Sequence, residues 1–104
     1  MRFFKFTIAL TPDKEDKYSY NVSVPAFPEI ATCGDSIEEA RFMAQDALEL
    51  VILSRLEDGE DIPQDIKPIK VARNAQVEEI VISVVYDITA TPASYVKTAL
   101  FQSP

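Results

Sequence analysis

The chain has 104 residues, the usual size of one domain and too few for two separate cores. Its 47% hydrophobic content favours folding over disorder, and its net charge of −7 opposes direct binding to nucleic acid or an anionic membrane. No apolar stretch nears the roughly 20 residues of a membrane helix, the N-terminus reads as a strand and not a signal peptide, and the lone Cys33 excludes an internal disulfide and fits a reducing cytoplasm.

Residues 3–10 alternate, with Phe4, Phe6, Ile8 and Leu10 on one face and Lys5, Thr7 and Ala9 on the other. The charged stretch Thr11 to Lys17, with Pro12, reads as a hairpin loop. Residues 18–24 alternate again, placing Tyr18, Tyr20, Val22 and Val24 opposite Ser19, Asn21 and Ser23. The two segments predict an antiparallel hairpin with one buried face. Pro25 and Pro28 end the second strand at a corner. Ile30 to Cys33 reads as a short third strand, closed by Gly34.

A long helix follows. Ser36 and Glu39 match a capping box, and Glu38 and Glu39 complement the dipole of the first turn. Ile37, Ala40, Ala44, Ala47, Leu48 and Val51 recur at helical spacing. Gly59 is the expected stop, after about six turns. Toward its end Leu50, Ile52, Leu53 and Leu56 widen the apolar stripe. Such a face needs cover on more than one side, so Leu50, Leu53 and Leu56 are candidates for an oligomer interface, with cover by the same chain as the alternative.

Residues 60–76 read as a connection containing Pro63 and Pro68. Residues 77–88 are the strongest strand, apolar on both faces from Ile80 to Tyr86, which predicts a buried, central position. Thr91-Pro92 can start a short terminal helix, with an extended arm as the alternative. The fold class is therefore α+β. The expected order is β-β-β-α-β, with one long helix packed on a small mixed sheet and a short C-terminal helix or arm.

The charge is not spread evenly. Residues 29–65 hold eleven acids and two bases, a net −9, while each flank stands at +1. Such a segment favours a basic partner, or serves as a solvated helix surface.

Catalysis finds little footing. There is no His, the commonest general base and metal ligand. Cys33 lacks a His partner and reads as a buried, inert thiol. The two glycines, Gly34 and Gly59, form no phosphate-cradling loop. The element order resembles that of ribonuclease H, whose nucleases hold Mg²⁺ with acids on the first strand, the helix and the fourth strand. Glu38, Glu39 and Asp87 supply two of those places, but the strand Phe3 to Leu10 has no acid. Lys67, Lys70 and Arg73 form a modest basic patch without interleaved aromatics. No catalytic residue, metal ligand or cofactor is expected.

Residues 18–63 resemble the HicB family of antitoxins. Tyr20, Val22 and Val24 lead to Pro25, Phe27 and Pro28. Thr32, Gly34, Asp35 and Ser36 precede Glu38-Glu39-Ala40. Ala44, Ala47 and Leu48 follow on the helix, and Leu56, Gly59, Glu60, Ile62 and Pro63 close the pattern. Glu29-Ile30 stands where the family usually has Gly-Cys.

The resemblance implies a partly ribonuclease-H-like fold without nuclease activity. It implies a cytoplasmic antitoxin that masks a small, basic, mRNA-cleaving toxin of the HicA type, and it implies homo-oligomers. Residues 1–90 would form the HicB-like domain. Residues 91–104 would be a tail with no DNA-binding domain, so direct DNA binding is not expected. The candidate partner-binding residues are Glu29, Glu38, Glu57, Asp58, Glu60 and Asp61. The alternatives are an orphan HicB-like homo-oligomer of structural or regulatory role, and a divergent metal-dependent nuclease.

Overall fold

The first alternating segment forms a strand, β1 (Arg2–Pro12), in the computed structural model, which describes residues 2–16, 18–68 and 70–85. The expected order follows: β2 (Tyr20–Ser23), β3 (Ala31–Gly34), one helix α1 (Ile37–Glu57) and β4 (Gln76–Val84). The expected end of the last strand, from Tyr86 on, and the C-terminal helix or arm lie outside the described residues. The helix packs on one face of a four-stranded sheet ordered β3-β2-β1-β4.

The sheet is antiparallel throughout, not mixed, and β4 lies beside β1 at its edge, not at its centre. The reason lies in residues 58–75. The helix exit, at Leu56, Glu60 and Ile62, meets Arg2 and Phe4 at the start of β1. A strand starting there would run parallel to β1. The chain instead travels back along the sheet, so that Gln76 pairs with Leu10 and Val84 with Arg2.

Phe6, Ile8 and Leu10 of β1 form the floor of the core, with Val22, Ile82 and Val84 beside them. Ala40, Ala44, Leu48 and Ile52 of the helix close it from above at a spacing of four residues. The small residues lie at the helix start, where the helix is pressed against β3. A Cβ added to Gly34 would fall 2.8 Å from Ala40 Cα and from the Glu39 carbonyl carbon. Tyr18, expected on the buried face, sits in the turn before β2 and is exposed.

Both helix ends form as their residues dictate. Ser36 Oγ accepts from the Glu39 N–H at 3.0 Å, and Glu39 Oε1 accepts from the Asp35 N–H at 2.6 Å. At the other end Gly59 takes φ +73. Its N–H donates to the Leu56 carbonyl and that of Glu60 to the Arg55 carbonyl, which closes a Schellman turn. The proline corner is two consecutive turns, with Phe27 N–H donating to the Val24 carbonyl and Ile30 N–H to the Phe27 carbonyl, each at 2.9 Å.

One tie holds the returning connection. β2 pairs with β1 only from Ala9 to Pro12, which leaves the lower half of that side of β1 open. Asp65 fills the gap: its Oδ1 accepts from the Thr7 N–H at 2.8 Å and its Oδ2 from the Thr7 hydroxyl at 2.7 Å. Lys67 donates to Thr7 Oγ1 and to Glu79, which joins the connection to β4.

Burial alone would raise the Asp65 pKa. The hydrogen bonds from Thr7 and the Lys67 ammonium outweigh it and leave the net shift downward. A lowered folded-state pKa means this stabilisation is complete above the unfolded value and lost as pH falls through the folded one. Asp65→Ala strands a buried donor and should cost about 1–3 kcal/mol at pH 7. That difference should shrink as pH drops below about 4, where the unfolded carboxylate begins to protonate. Urea titrations of both proteins at pH 7 and pH 3 test this. An equal cost at both values would show that the carboxylate charge plays no part.

Candidate partner-binding surface

The corner and the helix exit converge on one end of the molecule, because Phe27 and Arg55 are stacked. Phe27 is fully buried and meets the Phe6 ring edge-on, 5.0 Å between centroids at 67°. The Arg55 guanidinium lies 5.1 Å above the same ring. From there Arg55 donates to Glu29 at 3.0 Å. The Glu29 carboxylate is held below its ordinary pKa by its own backbone N–H and by Arg55. In the sequence Arg55 is simply one of the two bases, with Arg41, in the acidic segment 29–65; its role as the post between corner and helix depends on the fold.

Two shallow hollows flank this post. One, of about 340 Å³, is lined by Glu29, Leu50, Val51, Ser54, Arg55 and Glu60. The other, of about 490 Å³, is lined by Arg2, Phe4, Leu56, Glu60, Asp61 and Ile62. The first is lined mainly by apolar surface and the second by polar and apolar surface together; each includes two carboxylates, and Glu60 lines both.

The six candidate acids therefore split. Glu29, Glu57, Asp58, Glu60 and Asp61 gather around the helix exit, and all but the half-buried Glu57 are exposed. Glu38 stands in the first turn, roughly 28 Å away at 1.5 Å per residue. The leucines split as well. Leu50 and Leu56 are half-buried and line one hollow each, whereas Leu53 is fully buried in its own chain. Leu53 therefore offers no surface to a second subunit.

The other sequence candidates are scattered. Cys33 is exposed, not buried: β3 is an edge strand and Cys33 points away from the helix. Glu39 is engaged in the helix cap, and Asp87 lies outside the described residues. Among the described residues no group of three or more His, Cys, Asp or Glu side chains converges to hold a metal ion. Lys67 is tied to Thr7, Asp65 and Glu79, while Lys70 and Arg73 are exposed. Among the described residues no helix is long and apolar enough to cross a membrane.

Comparison with known proteins agrees with this architecture. No curated protein matches the chain. Among solved structures, the Burkholderia pseudomallei antitoxin HicB superposes with a TM-score of 0.65 at 21% identity, over 95% of this chain and 81% of that one. A chain of a toxin–antitoxin complex from Streptococcus pneumoniae superposes with a TM-score of 0.68 at 15% identity, over 97% and 88%. The N-terminal domain of the Burkholderia protein aligns over its whole length and 80% of this chain, with a TM-score of 0.59 at 23% identity. At these identities the likeness establishes the fold. Residues 6–98 match the family described as HicB_like antitoxin of bacterial toxin-antitoxin system, and the chain belongs to that family.

Proposed function

We propose that this chain neutralises a small, basic, mRNA-cleaving toxin of the HicA type by binding it at the helix exit and covering its active site. The observation that carries this reading is that Glu29, Glu60 and Asp61 line two adjoining hollows at the helix exit, where Glu57 and Asp58 end the helix. A basic protein meets charge complementarity at these acids and apolar contact at Leu50, Val51, Leu56 and Ile62, the two kinds of contact an interface combines. The chain is then a binding protein without catalysis, acting in the cytoplasm where its target is made. The β-β-β-α-β order is what it keeps of the ribonuclease H plan.

The test is a search for a short basic protein encoded beside this chain, then co-expression with it, purification and an RNA-cleavage assay; the absence of any such neighbour would count against the reading. Wild-type protein should co-purify with that neighbour and block cleavage. Asp58, Glu60 and Asp61 changed together to Lys should weaken binding at least about tenfold, while Glu38→Lys should change it little. A neighbour that does not bind, or one bound equally well by the triple variant, would end this reading.

A second reading is an orphan homo-oligomeric module without a toxin. It is favoured by Leu50 and Leu56, which remain partly exposed beside the hollows. Light scattering of Leu50→Glu against wild type tests it, and an unchanged mass rejects these leucines as the contact.

A further inference from the structure

The two hollows at the helix exit differ in what they already hold. The first contains its own neutralised cation: Arg55 lies on Phe27 and is paired with Glu29. The second has its two carboxylates to spare. Glu60 and Asp61 are both exposed, and among the described residues neither is in an ion pair. By contrast Arg41 grips Glu78, and Asp65 and Glu79 share Lys67.

The backbone fixes where these two acids stand. Gly59, at φ +73, turns the chain out of the helix. The Glu60 N–H then donates to the Arg55 carbonyl at 2.8 Å, and Ile62 packs against the core. Glu60 and Asp61 are therefore held between two anchors, in one hollow with Phe4 and Leu56.

Arg2 shows what the aromatic part of this hollow accepts. Its guanidinium lies 5.1 Å from the centroid of the Phe4 ring, the distance at which Arg55 lies over Phe27. Arg2 forms no ion pair with Glu60 or Asp61. A guanidinium of this chain thus covers the ring and leaves the carboxylates unanswered.

We propose that the second hollow takes one arginine side chain of the basic partner, which rests on the toxin reading for the identity of that partner, and that Arg2 keeps the place on Phe4 until that side chain displaces it. An arginine has the two parts that a hollow of mixed polar and apolar surface accommodates. Its apolar stem lies along Leu56 and Ile62 while its head stays with the carboxylates. The planar guanidinium stacks on Phe4 and bonds a carboxylate through two N–H groups at once. A lysine ammonium bonds only as a point charge. Arg2 is exposed at the first residue of β1, so its displacement moves one side chain and leaves the strand in place.

The test uses the full chain and a short capped glycine peptide with arginine at its centre, beside the same peptide carrying lysine or citrulline. Methyl NMR signals of Leu56 and Ile62 read binding. The arginine peptide should shift both signals and bind more tightly than the lysine peptide, and the neutral citrulline peptide should leave both unmoved. Glu60→Gln with Asp61→Asn should abolish the shifts. Arg2→Ala should tighten arginine binding about threefold, because a competing cation–π contact has gone. All of these positions are exposed, so the circular dichroism spectrum should not change. Unmoved Leu56 and Ile62 signals would overturn the proposal, as would equal binding of the arginine and lysine peptides. Weaker binding to Arg2→Ala would overturn it too, since Arg2 would then help to hold the ligand. The peptide result does not depend on any toxin. A toxin that binds at the helix exit while the peptide does not would end this proposal and leave the preceding one standing; a bound peptide without a toxin would do the reverse.

Discussion

Replacing Phe27 by alanine should lower the unfolding free energy by about 3–5 kcal/mol. The side chain is fully buried between the two turns of the corner, so its removal loses transfer energy and leaves a cavity. It also removes the edge-on contact with Phe6 and the surface on which Arg55 rests. The Arg55–Glu29 pair loses its support, although an ion pair this exposed contributes little by itself. Set against a total stability of about 5–15 kcal/mol, the loss is severe. Guanidinium unfolding with an unchanged slope would measure it. Phe27→Leu should recover most of the difference. A cost below about 1 kcal/mol for Phe27→Ala would mean that the corner does not rely on this wedge.

Gly34→Ala should be nearly as damaging, at about 3 kcal/mol. The new methyl group meets backbone atoms of Glu39 and Ala40, and backbone has no rotamer to move aside. The first turn of the helix must lift from β3. The same movement disturbs the cap, in which Ser36 and Glu39 are already engaged. Gly34→Ala and Ser36→Ala should therefore combine non-additively, because both act on one turn. A double-mutant cycle reads this directly. Strict additivity would place the effect of Gly34 outside the helix start.

Much of this arrangement was legible in the residues. The alternation of Phe4, Phe6, Ile8 and Leu10 marked the buried face of β1, and Ser36, Glu39 and Gly59 marked both helix ends. These signals are local, so the sequence carries them whole. The position and direction of β4 were not legible. Its run from Ile80 to Tyr86 is apolar on both sides and matches a strand buried on both faces. An edge with exposed Val77, Val81 and Val85 has the same composition. Its antiparallel direction depends on how far the connection travels, and no periodicity records that.

The exposure of Cys33 is hidden in the sequence for a related reason: four residues of strand show too little alternation to reveal which face is covered. Asp65 gave no signal, because its partner, Thr7, is distant in the chain and meets it only in the folded sheet. The acids of the candidate surface were legible as a charged segment. Their division between the two helix ends, and the hollows between them, came only with the stacking of Arg55 on Phe27.

The backward course of residues 58–75 also bears on the order in which the chain assembles. The β1–β2 contact closes a loop of a few residues between Pro12 and Tyr20. The β1–β4 contact closes one from Leu10 to Gln76. For a flexible chain the longer closure costs about 2 kcal/mol more in entropy. The hairpin, β3 and the helix therefore have a kinetic advantage, and β4 docks onto a sheet that already exists. Until it docks, β1 is itself an edge, open to any strand that arrives first. The Asp65 tie to Thr7 then acts as a guide, fixing the path of the connection midway along β1 and delivering β4 to its own chain.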